Sequence, residues 1–247
     1  MLLQLDFRNA FNTVLRDAVL QAIRDQCPWF LAYAKACYGS AVCLFSMEGL
    51  VLLSRVGVQQ GDPCGPLFFA NAIAALTRQL GSVPDVWSTW HLDDGHLAGP
   101  RATLNNLLPV LEAKAAELGL VRNRDKCVVF SPHGDELPPV FFPGIPVASP
   151  DTGLAVLGSP IGETANSLCW LQNKVLEPLT LALSRLECLG DPRAASLILR
   201  QCLSACKLNY IMRTAALAVS RPAAELMDPL LRAAWGNILG HSCSDQE

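Results

Sequence analysis

The hydrophobic pattern of this 247-residue chain changes near residue 163. Before that point, short apolar runs suited to strands alternate with longer segments in which apolar residues recur at helical spacing. From Asn166 to Leu239 the spacing is helical, with interruptions at Gly190-Asp191-Pro192 and at Arg221-Pro222. The pattern predicts a domain of mixed strands and helices over residues 1–163. An all-helical bundle is predicted over residues 164–247.

Turn residues divide the first part into short elements. Pro66 suits the first turn of a helix, and Gly119 suits the end of one. The predicted elements are strand 2–7, helix 10–26, helix 28–38, a hairpin of AVCLFS and LVLLSRV around Met47-Glu48-Gly49, helix 67–80, strands 86–92 and 96–99 around the turn Asp93-Asp94-Gly95, helix 102–118, strand KCVVF, a loop over 131–152 and strand LAVLG.

The composition excludes several classes of protein. Hydrophobic residues make up 51% and charged residues 17% of the chain, and a disordered chain has too little apolar surface to resemble this. No uninterrupted apolar run reaches the roughly 18 residues of a membrane span. The start, MLLQLDFRNAF, lacks a basic leader, so it is not a secretion signal. We expect an intracellular protein, nuclear or cytoplasmic, that is not secreted and has no membrane partner.

The ten cysteines are spread through apolar segments and form no C-x-x-C pair. Free cysteine in such segments behaves as a small hydrophobic residue. The spacing therefore predicts buried, reduced thiols in preference to a zinc site or a set of disulfides.

Three acidic residues stand at predicted strand ends and turns: Asp6, Asp93 and Asp94. Carboxylates at such positions can converge on Mg²⁺, which is held by one or two carboxylates and keeps positions open for phosphates. Two such ions can serve phosphoryl transfer. The acids alone do not decide, because an aspartate before a helix is usually an N-cap and Asp-Asp-Gly is an ordinary turn.

The order of five segments along the chain is more informative about function than the acids alone. LDFRNAFN, GVQQGDPCGPLFFA, WHLDDG, GLVRNRDKCVVF and LGSPIG follow one another over residues 5–162. This series resembles the palm motifs of reverse transcriptases, specifically those of non-long-terminal-repeat retrotransposons, over roughly residues 1–165. The helical remainder resembles their thumb. The resemblance implies an α+β fold, with a small, mainly antiparallel sheet and packed helices followed by a helical bundle. The resemblance implies RNA-directed DNA synthesis, in which a primer 3′-hydroxyl attacks the α-phosphate of a deoxynucleoside triphosphate with two Mg²⁺ (or Mn²⁺) ions.

The same resemblance implies roles for individual residues at the acids. Asp6 matches the first catalytic, metal-binding aspartate, and Phe7 would offer its backbone carbonyl to a metal. Asp93 matches the second metal-binding aspartate, and Asp94 its acidic neighbour. Lys126 matches a lysine near the triphosphate that is proposed to protonate the leaving group.

Four further positions match nucleotide or primer contacts. Phe11 matches the aromatic gate that leaves no room for a ribose 2′-hydroxyl, although its spacing also suits a core residue. Gln60 and Gly61 match the pair that lies along the incoming nucleotide and template, although the loop is also a Gly/Pro turn. Leu157-Gly158 resembles the primer-grip hairpin, or any short hairpin.

Basic residues recur about every seven positions between residues 192 and 221, a spacing that keeps side chains on one helical face. They are Arg193, Arg200, Lys207, Arg213 and Arg221. We interpret Arg193, Arg200, Lys207 and Arg213 as a stripe that contacts a template–primer duplex. A solvated helix face is the alternative.

The chain departs from the resemblance in two respects. It begins five residues before Asp6, so we expect the fingers region of such polymerases to be missing. The net charge is −3, which disfavours a nucleic-acid partner. A basic upstream part would account for that charge.

Two functions remain open from the sequence. The first is a reverse transcriptase domain, a fragment of a longer polymerase, with an RNA template, a DNA primer and deoxynucleoside triphosphates as partners. The second is an inactive retrotransposon-derived fragment that binds nucleic acid or protein. An unrelated α/β metal phosphohydrolase is a weaker third option, since the loop at residues 57–66 and the helical tail argue against it.

Overall fold

The computed structural model describes residues 1–45, 47, 49, 51–134, 138 and 140–240, with Glu187 described by its backbone alone. The chain forms two compact units, which divide between Val147 and Ala148. Each unit has its own hydrophobic core. The predicted turn at residues 47–49 and the loop 131–152 lie partly outside the described residues.

The first unit is built on a sheet with the strand order β4-β5-β1-β6-β7, and a separate two-stranded hairpin pairs β2 with β3. The paired strands are antiparallel wherever their register is defined. The strands are β1 (Leu2–Leu5), β2 (Val42–Phe45), β3 (Val51–Ser54), β4 (Trp87–His91), β5 (Asp94–Ala98), β6 (Val128–Phe130) and β7 (Val147–Ala148).

Alternation of side chains explains why β1 is central. Leu3 and Leu5 are almost completely buried, as are Leu97 on β5 and Val129 on β6. Leu3 lies opposite both of these residues in the register, so one face of the sheet is apolar and covered by helices. The other face carries Gln4 and the positions that lead to the acids.

The α-helices of the first unit are α1 (Ala10–Thr13), α2 (Arg16–Gln26), α3 (Leu31–Tyr38), α4 (Gly65–Gly81) and α5 (Arg101–Glu117), and a 3₁₀ turn at Pro28–Phe30 precedes α3. The predicted helix 10–26 is wrong at Val14 and Leu15, where the chain turns. The amide of Leu15 bonds to the carbonyl of Leu118, and the amide of Gly57 bonds to the carbonyl of Val14. These bonds to distant segments interrupt, at two residues, the helix that the local spacing favours.

The second unit begins with a hairpin of β8 (Leu154–Val156) and β9 (Ser159–Ile161). Its helices are α6 (Thr164–Leu171), α7 (Glu177–Leu186), α8 (Pro192–Ile198), α9 (Asn209–Thr214) and α10 (Leu217–Leu239), with π-helical turns at Gln172–Leu176 and Leu199–Leu203. The predicted interruption before Pro192 is observed. There the Asp191 side chain accepts hydrogen bonds from the amides of Arg193 and Ala194 and caps α8. The interruption predicted at Arg221-Pro222 is wrong, because α10 continues through both residues.

The predicted fold class is confirmed, since the molecule combines a mainly antiparallel sheet and packed helices with a helical second part. The prediction of buried cysteines is largely wrong. Cys127 is buried, whereas five of the nine described cysteines are exposed: Cys43, Cys169, Cys188, Cys202 and Cys206. The nine described thiols are free. Within the described part of the chain, no helix is long and apolar enough to cross a membrane.

Candidate active site

Asp6 lies where the central strand ends. In the register, Leu5 pairs with Gly95, so the next residue of β1 comes beside Asp94. After Asp6, the chain forms an isolated antiparallel β-bridge between Phe7 and Arg122. The Asp6 side chain is 14% exposed. The acid therefore stands at the edge of the sheet on a strand that both neighbours hold in place.

Asp93 occupies a two-residue turn between β4 and β5. His91 pairs with Asp94 as the last pair of the hairpin, so Leu92 and Asp93 form the turn and Asp94 begins the strand. The predicted turn at Asp93-Asp94-Gly95 is thus wrong by one residue. Gly95 is needed inside β5, since a Cβ there would lie 2.5 Å from the ring of Trp90.

The three acids influence one another electrostatically. Burial raises the pKa of Asp93, and the charges of Asp94 and Asp6 raise it further. The charge of Lys126 lowers it. The four side chains that the sequence proposes as catalytic, Asp6, Asp93, Asp94 and Lys126, are therefore near one another.

A loop between α5 and β6 supplies two polar partners to Asp6. Lys126 Nζ lies 3.4 Å from Asp6 Oδ2, and Asn123 Nδ2 donates a 3.1 Å hydrogen bond to Asp6 Oδ1. The amide of Asn123 also donates to the Asp6 carbonyl, at 2.9 Å. Asn123 was not among the predicted site residues, although it stands three positions before Lys126 in the same motif.

Cys127 lies against the backbone of Asp6. The amide of Asp6 donates to Cys127 Sγ at 3.5 Å, and the thiol lies 3.7 Å from the Asp6 carbonyl. Burial raises the pKa of this thiol, so Cys127 is an uncharged donor and acceptor. It fixes the strand end and is a structural thiol.

The donor atoms at the acids suit a hard cation. The carboxylates of Asp6, Asp93 and Asp94 provide oxygen ligands of the kind that Mg²⁺ prefers. The bridge at Phe7 uses the carbonyls of Asp6 and Val121, so it leaves the carbonyl of Phe7 outside its hydrogen bonds. Among the described residues, no group of three or more His, Cys, Asp or Glu side chains is arranged to hold a metal ion.

Phe11 and the Gln60-Gly61 loop are connected through the backbone. Phe11 on α1 is partly buried and stacks on Phe69 with ring centroids 4.6 Å apart. Its carbonyl accepts a 2.7 Å hydrogen bond from the amide of Val58, two residues before Gln60. Gln60 and Gly61 are exposed. A change in the position of this loop therefore reaches Phe11 directly.

Arg16 holds the start of that loop. The side chain is buried, with Arg16 only 7% exposed. It donates to the carbonyls of Gly57, Ser40 and Ser54 at 3.0, 2.9 and 2.9 Å, and to the Ser54 hydroxyl at 2.8 Å. The guanidinium also lies 5.3 Å from the centre of the Tyr38 ring. No sequence signal distinguished Arg16 from a solvated helix residue.

Tyr38 and Asp62 fix the other end of the loop. The Tyr38 hydroxyl donates to the Asp62 carboxylate and accepts from the Gln59 amide at 3.1 Å. Asp62 also accepts from the Cys64 amide at 2.8 Å. Burial, followed by the bond to Asp62, raises the pKa of Tyr38 to about 12. The loop is thus held by buried groups on both sides of Gln60 and Gly61.

The remaining predicted residues belong to the second unit. Leu157 and Gly158 form the two-residue turn of the β8–β9 hairpin, and both have positive φ angles, 48° and 81°. Their primer-grip role stays a prediction.

The four basic residues predicted to contact nucleic acid are exposed, but they do not share one helix. Arg193 lies in α8, Arg200 in a π-helical turn, Lys207 in a separate 3₁₀ turn and Arg213 in α9. Ser204, with φ −91° and ψ −148°, breaks the helical path between Arg200 and Lys207. The expectation of a single helical face is therefore wrong, and a nucleic-acid contact by these residues stays a prediction.

A comparison with known proteins finds a relative of the expected kind. The chain is 32% identical over 141 residues to the retrotransposable element SLACS 132 kDa protein of Trypanosoma brucei gambiense. This chain is similar to a retrotransposon protein. The match covers 54% of the chain and 12% of that protein, so the chain spans a small part of its relative. The predicted resemblance to a retrotransposon protein is confirmed.

Two solved structures were also compared with the chain. Apo telomerase from Candida tropicalis has a TM-score of 0.48 at 10% identity, covering 98% of this chain and 47% of the telomerase chain. Telomerase from Candida albicans in complex with a fragment of telomeric RNA has a TM-score of 0.46 at 11% identity, covering 99% of this chain and 46% of the telomerase chain. No known protein family matches the chain in a family search.

Proposed function

We propose that this chain is part of a retrotransposon reverse transcriptase that synthesises DNA on an RNA template. The observation that carries the proposal is the convergence of Asp6, Asp93 and Asp94, with Lys126 beside them, at one edge of the sheet. The similarity to a retrotransposable element protein supports it. The activity of a complete polymerase is part of the proposal, because the chain spans only 12% of that relative.

In this function, the acids hold the reacting groups and the loops shape the site. Asp6 and Asp93, with the carbonyl of Phe7, are the proposed ligands of two Mg²⁺ or Mn²⁺ ions. When bound, such ions activate the attacking oxygen and stabilise the leaving oxygen in phosphoryl transfer. Asn123 orients the Asp6 carboxylate, and Lys126 places a positive charge where the triphosphate of a nucleotide would lie.

Two further groups complete the proposed nucleotide site. The ring of Phe11, fixed by its stack on Phe69, is the proposed gate against a ribose 2′-hydroxyl. Gln60 and Gly61 present exposed backbone and amide groups for the nucleotide and template. Glycine at position 61 lets a ligand approach the backbone closely.

Primer extension tests this proposal. The wild-type chain is incubated with an RNA template, a labelled DNA primer, deoxynucleoside triphosphates and Mg²⁺ or Mn²⁺. We expect template-dependent extension that is lost in Asp93→Asn and Asp6→Asn. Asp85→Asn is the matched control, because Asp85 is an exposed aspartate with a positive φ of 60° that asparagine also adopts. Extension that persists in Asp93→Asn would remove the assigned site.

A binding module without catalysis is the second candidate. It is favoured because no group of three or more His, Cys, Asp or Glu side chains among the described residues is arranged to hold a metal ion. The same samples decide between the two candidates. Tight binding of the template without any extension by the wild-type chain, with either metal, would favour the binding module.

A further inference from the structure

A cleft opens between α3 and the loop that carries Gln60 and Gly61. Its volume is about 610 Å³, and its lining includes Tyr33, Cys37, Tyr38 and Gln60. Pockets that bind small organic groups have volumes of about 300–1,000 Å³ and combine apolar walls with a few polar groups. The cleft has this size and this mixture. No role in the proposed chemistry has yet been given to its α3 side.

One wall of the cleft is a fixed aromatic ring. Tyr33 is 46% exposed, and its ring stacks on Phe30 with centroids 5.1 Å apart and an interplanar angle of 4°. Both rings also contact the completely buried Phe68, at 5.4 and 6.4 Å between centroids. A bond to the Cys37 thiol is the main cause that raises the pKa of Tyr33 to about 12. The ring is therefore an uncharged platform whose orientation is set before any ligand binds.

The opposite wall is polar and rigid. Gln60 and Gly61 are exposed, and the space beside Gly61 is open, since a Cβ built there would meet nothing within 4 Å. The bonds of Tyr38 to Gln59 and Asp62 hold this loop in place. The Gln60 amide can donate and accept hydrogen bonds at once, as the edge of a nucleobase requires.

The charge of the lining distinguishes a base from a phosphate. Asp62 is the one charged residue that lines the cleft in the described part of the chain. Its carboxylate already accepts bonds from Tyr38 and the Cys64 amide. A phosphate would be repelled by this carboxylate and would find no lysine or arginine among the lining residues. An uncharged, flat group with polar edges fits better.

We propose that this cleft binds an unpaired nucleobase of a single-stranded RNA, with Tyr33 as the stacking surface and Gln60 at the base edge. Aromatic side chains beside a groove recognise single strands in this way, because every base has a flat face. The inference rests on the proposed function, in which the strand is the template. It adds a contact on the α3 side, away from the acids.

Equilibrium binding tests the inference without metal or nucleotides, so it does not depend on catalysis. Fluorescence anisotropy compares a labelled oligouridine RNA with a strand of the same length that lacks bases. We expect Tyr33→Ala to weaken binding of the oligouridine about 5- to 100-fold, the range for loss of one stacked base. Binding of the strand without bases should not change. Tyr33→Phe keeps the ring and should bind as the wild type does.

Two controls keep the result interpretable. Tyr210→Ala removes a tyrosine of the same exposure, 47%, from the second unit, and should leave the preference for intact RNA unchanged. An RNA with a fluorescent base analogue, quenched by stacking, reports the contact in the wild-type protein, so the test does not depend on folding of Tyr33→Ala. The inference is overturned if the wild type does not prefer the strand with bases, or if Tyr33→Ala retains that preference. Loss of primer extension in Asp93→Asn would leave the inference standing, because that variant keeps the cleft.

Discussion

Replacing the buried Arg16 should destabilise the first unit and its Gln60 loop together. Arg16→Met keeps most of the apolar stem but removes every donor of the guanidinium. The carbonyl of Gly57 is then buried without a partner, while the exposed Ser40 can bind water. Hydrogen bonds to a charged group contribute about 1.5–3 kcal/mol each, and a buried acceptor left alone costs about 1–3 kcal/mol. Because burial also disfavours the charged guanidinium and lowers its pKa, we expect a net loss of about 2–4 kcal/mol.

This loss is measured by urea unfolding, with hydrogen exchange of the β1 amides as the probe. A probe within the first unit is needed because two compact units need not unfold together. With a slope of about 2–3 kcal/mol per molar urea, the midpoint should fall by about 1 M. Arg16→Lys keeps the charge but not the planar fork of donors, so its urea midpoint should lie between those of the wild type and Arg16→Met. Arg55→Met, at an exposed arginine near the same hairpin, is the control. Equal midpoints for Arg16→Met and Arg55→Met would refute the reasoning.

Three further substitutions test other parts of the first unit. In the same urea assay, Gly57→Ala should destabilise the first unit by about 3 kcal/mol or more, and Gly61→Ala by only about 1–2 kcal/mol. Both glycines have a positive φ, but only at Gly57 would an added Cβ strike the backbone, at 2.5 Å from Asn12. Asp93→Asn should abolish extension and yet raise the thermal midpoint at neutral pH, because burial and two neighbouring carboxylates disfavour the charged aspartate and raise its pKa in the folded state. This gain in midpoint should shrink as acid protonates the carboxyl, and an unchanged midpoint at pH 7 would contradict the prediction. Burial lowers the pKa of His96 in the folded state, so the unfolded chain takes up the proton first, and stability should fall as the pH drops from about 7 to 5. In thermal scans over this pH range, His96→Leu should lose less stability than the wild type, and an equal loss would exclude this histidine as its source.

The sequence predicts most elements of the first unit because their signals are local. Pro66 lies in the first turn of α4, and Gly119 follows α5 with a positive φ of 78°. The prediction fails where distant segments compete for the backbone. Val14 and Leu15 leave the helix because Gly57 and Leu118 bond to them, and no local pattern contains that information.

The acids of the candidate site could be found from the sequence, whereas the groups that hold the Gln60 loop could not. Asp6, Asp93 and Asp94 stand in motifs whose order is visible in the chain. Arg16 and Tyr38 act through contacts with residues more than 20 positions away, and each has an ordinary helical neighbourhood. The motif thus reveals the proposed reacting groups, and the structure adds the buried polar side chains that fix the loop of Gln60 and Gly61.

The turn at Leu92 shows how packing takes the place of turn chemistry at the site. Leu92 has a φ of 56°, a conformation that glycine or asparagine adopts at lower cost and that is strained for a leucine. Its side chain packs against the core of the first unit, which offsets that strain. The next residue is Asp93, so the position of this carboxylate depends on core packing as well as on the ladder between β4 and β5. A polar residue at position 92 would relax the backbone but release this anchor. The side chain of Leu92 thereby ties the acid to the rigid sheet.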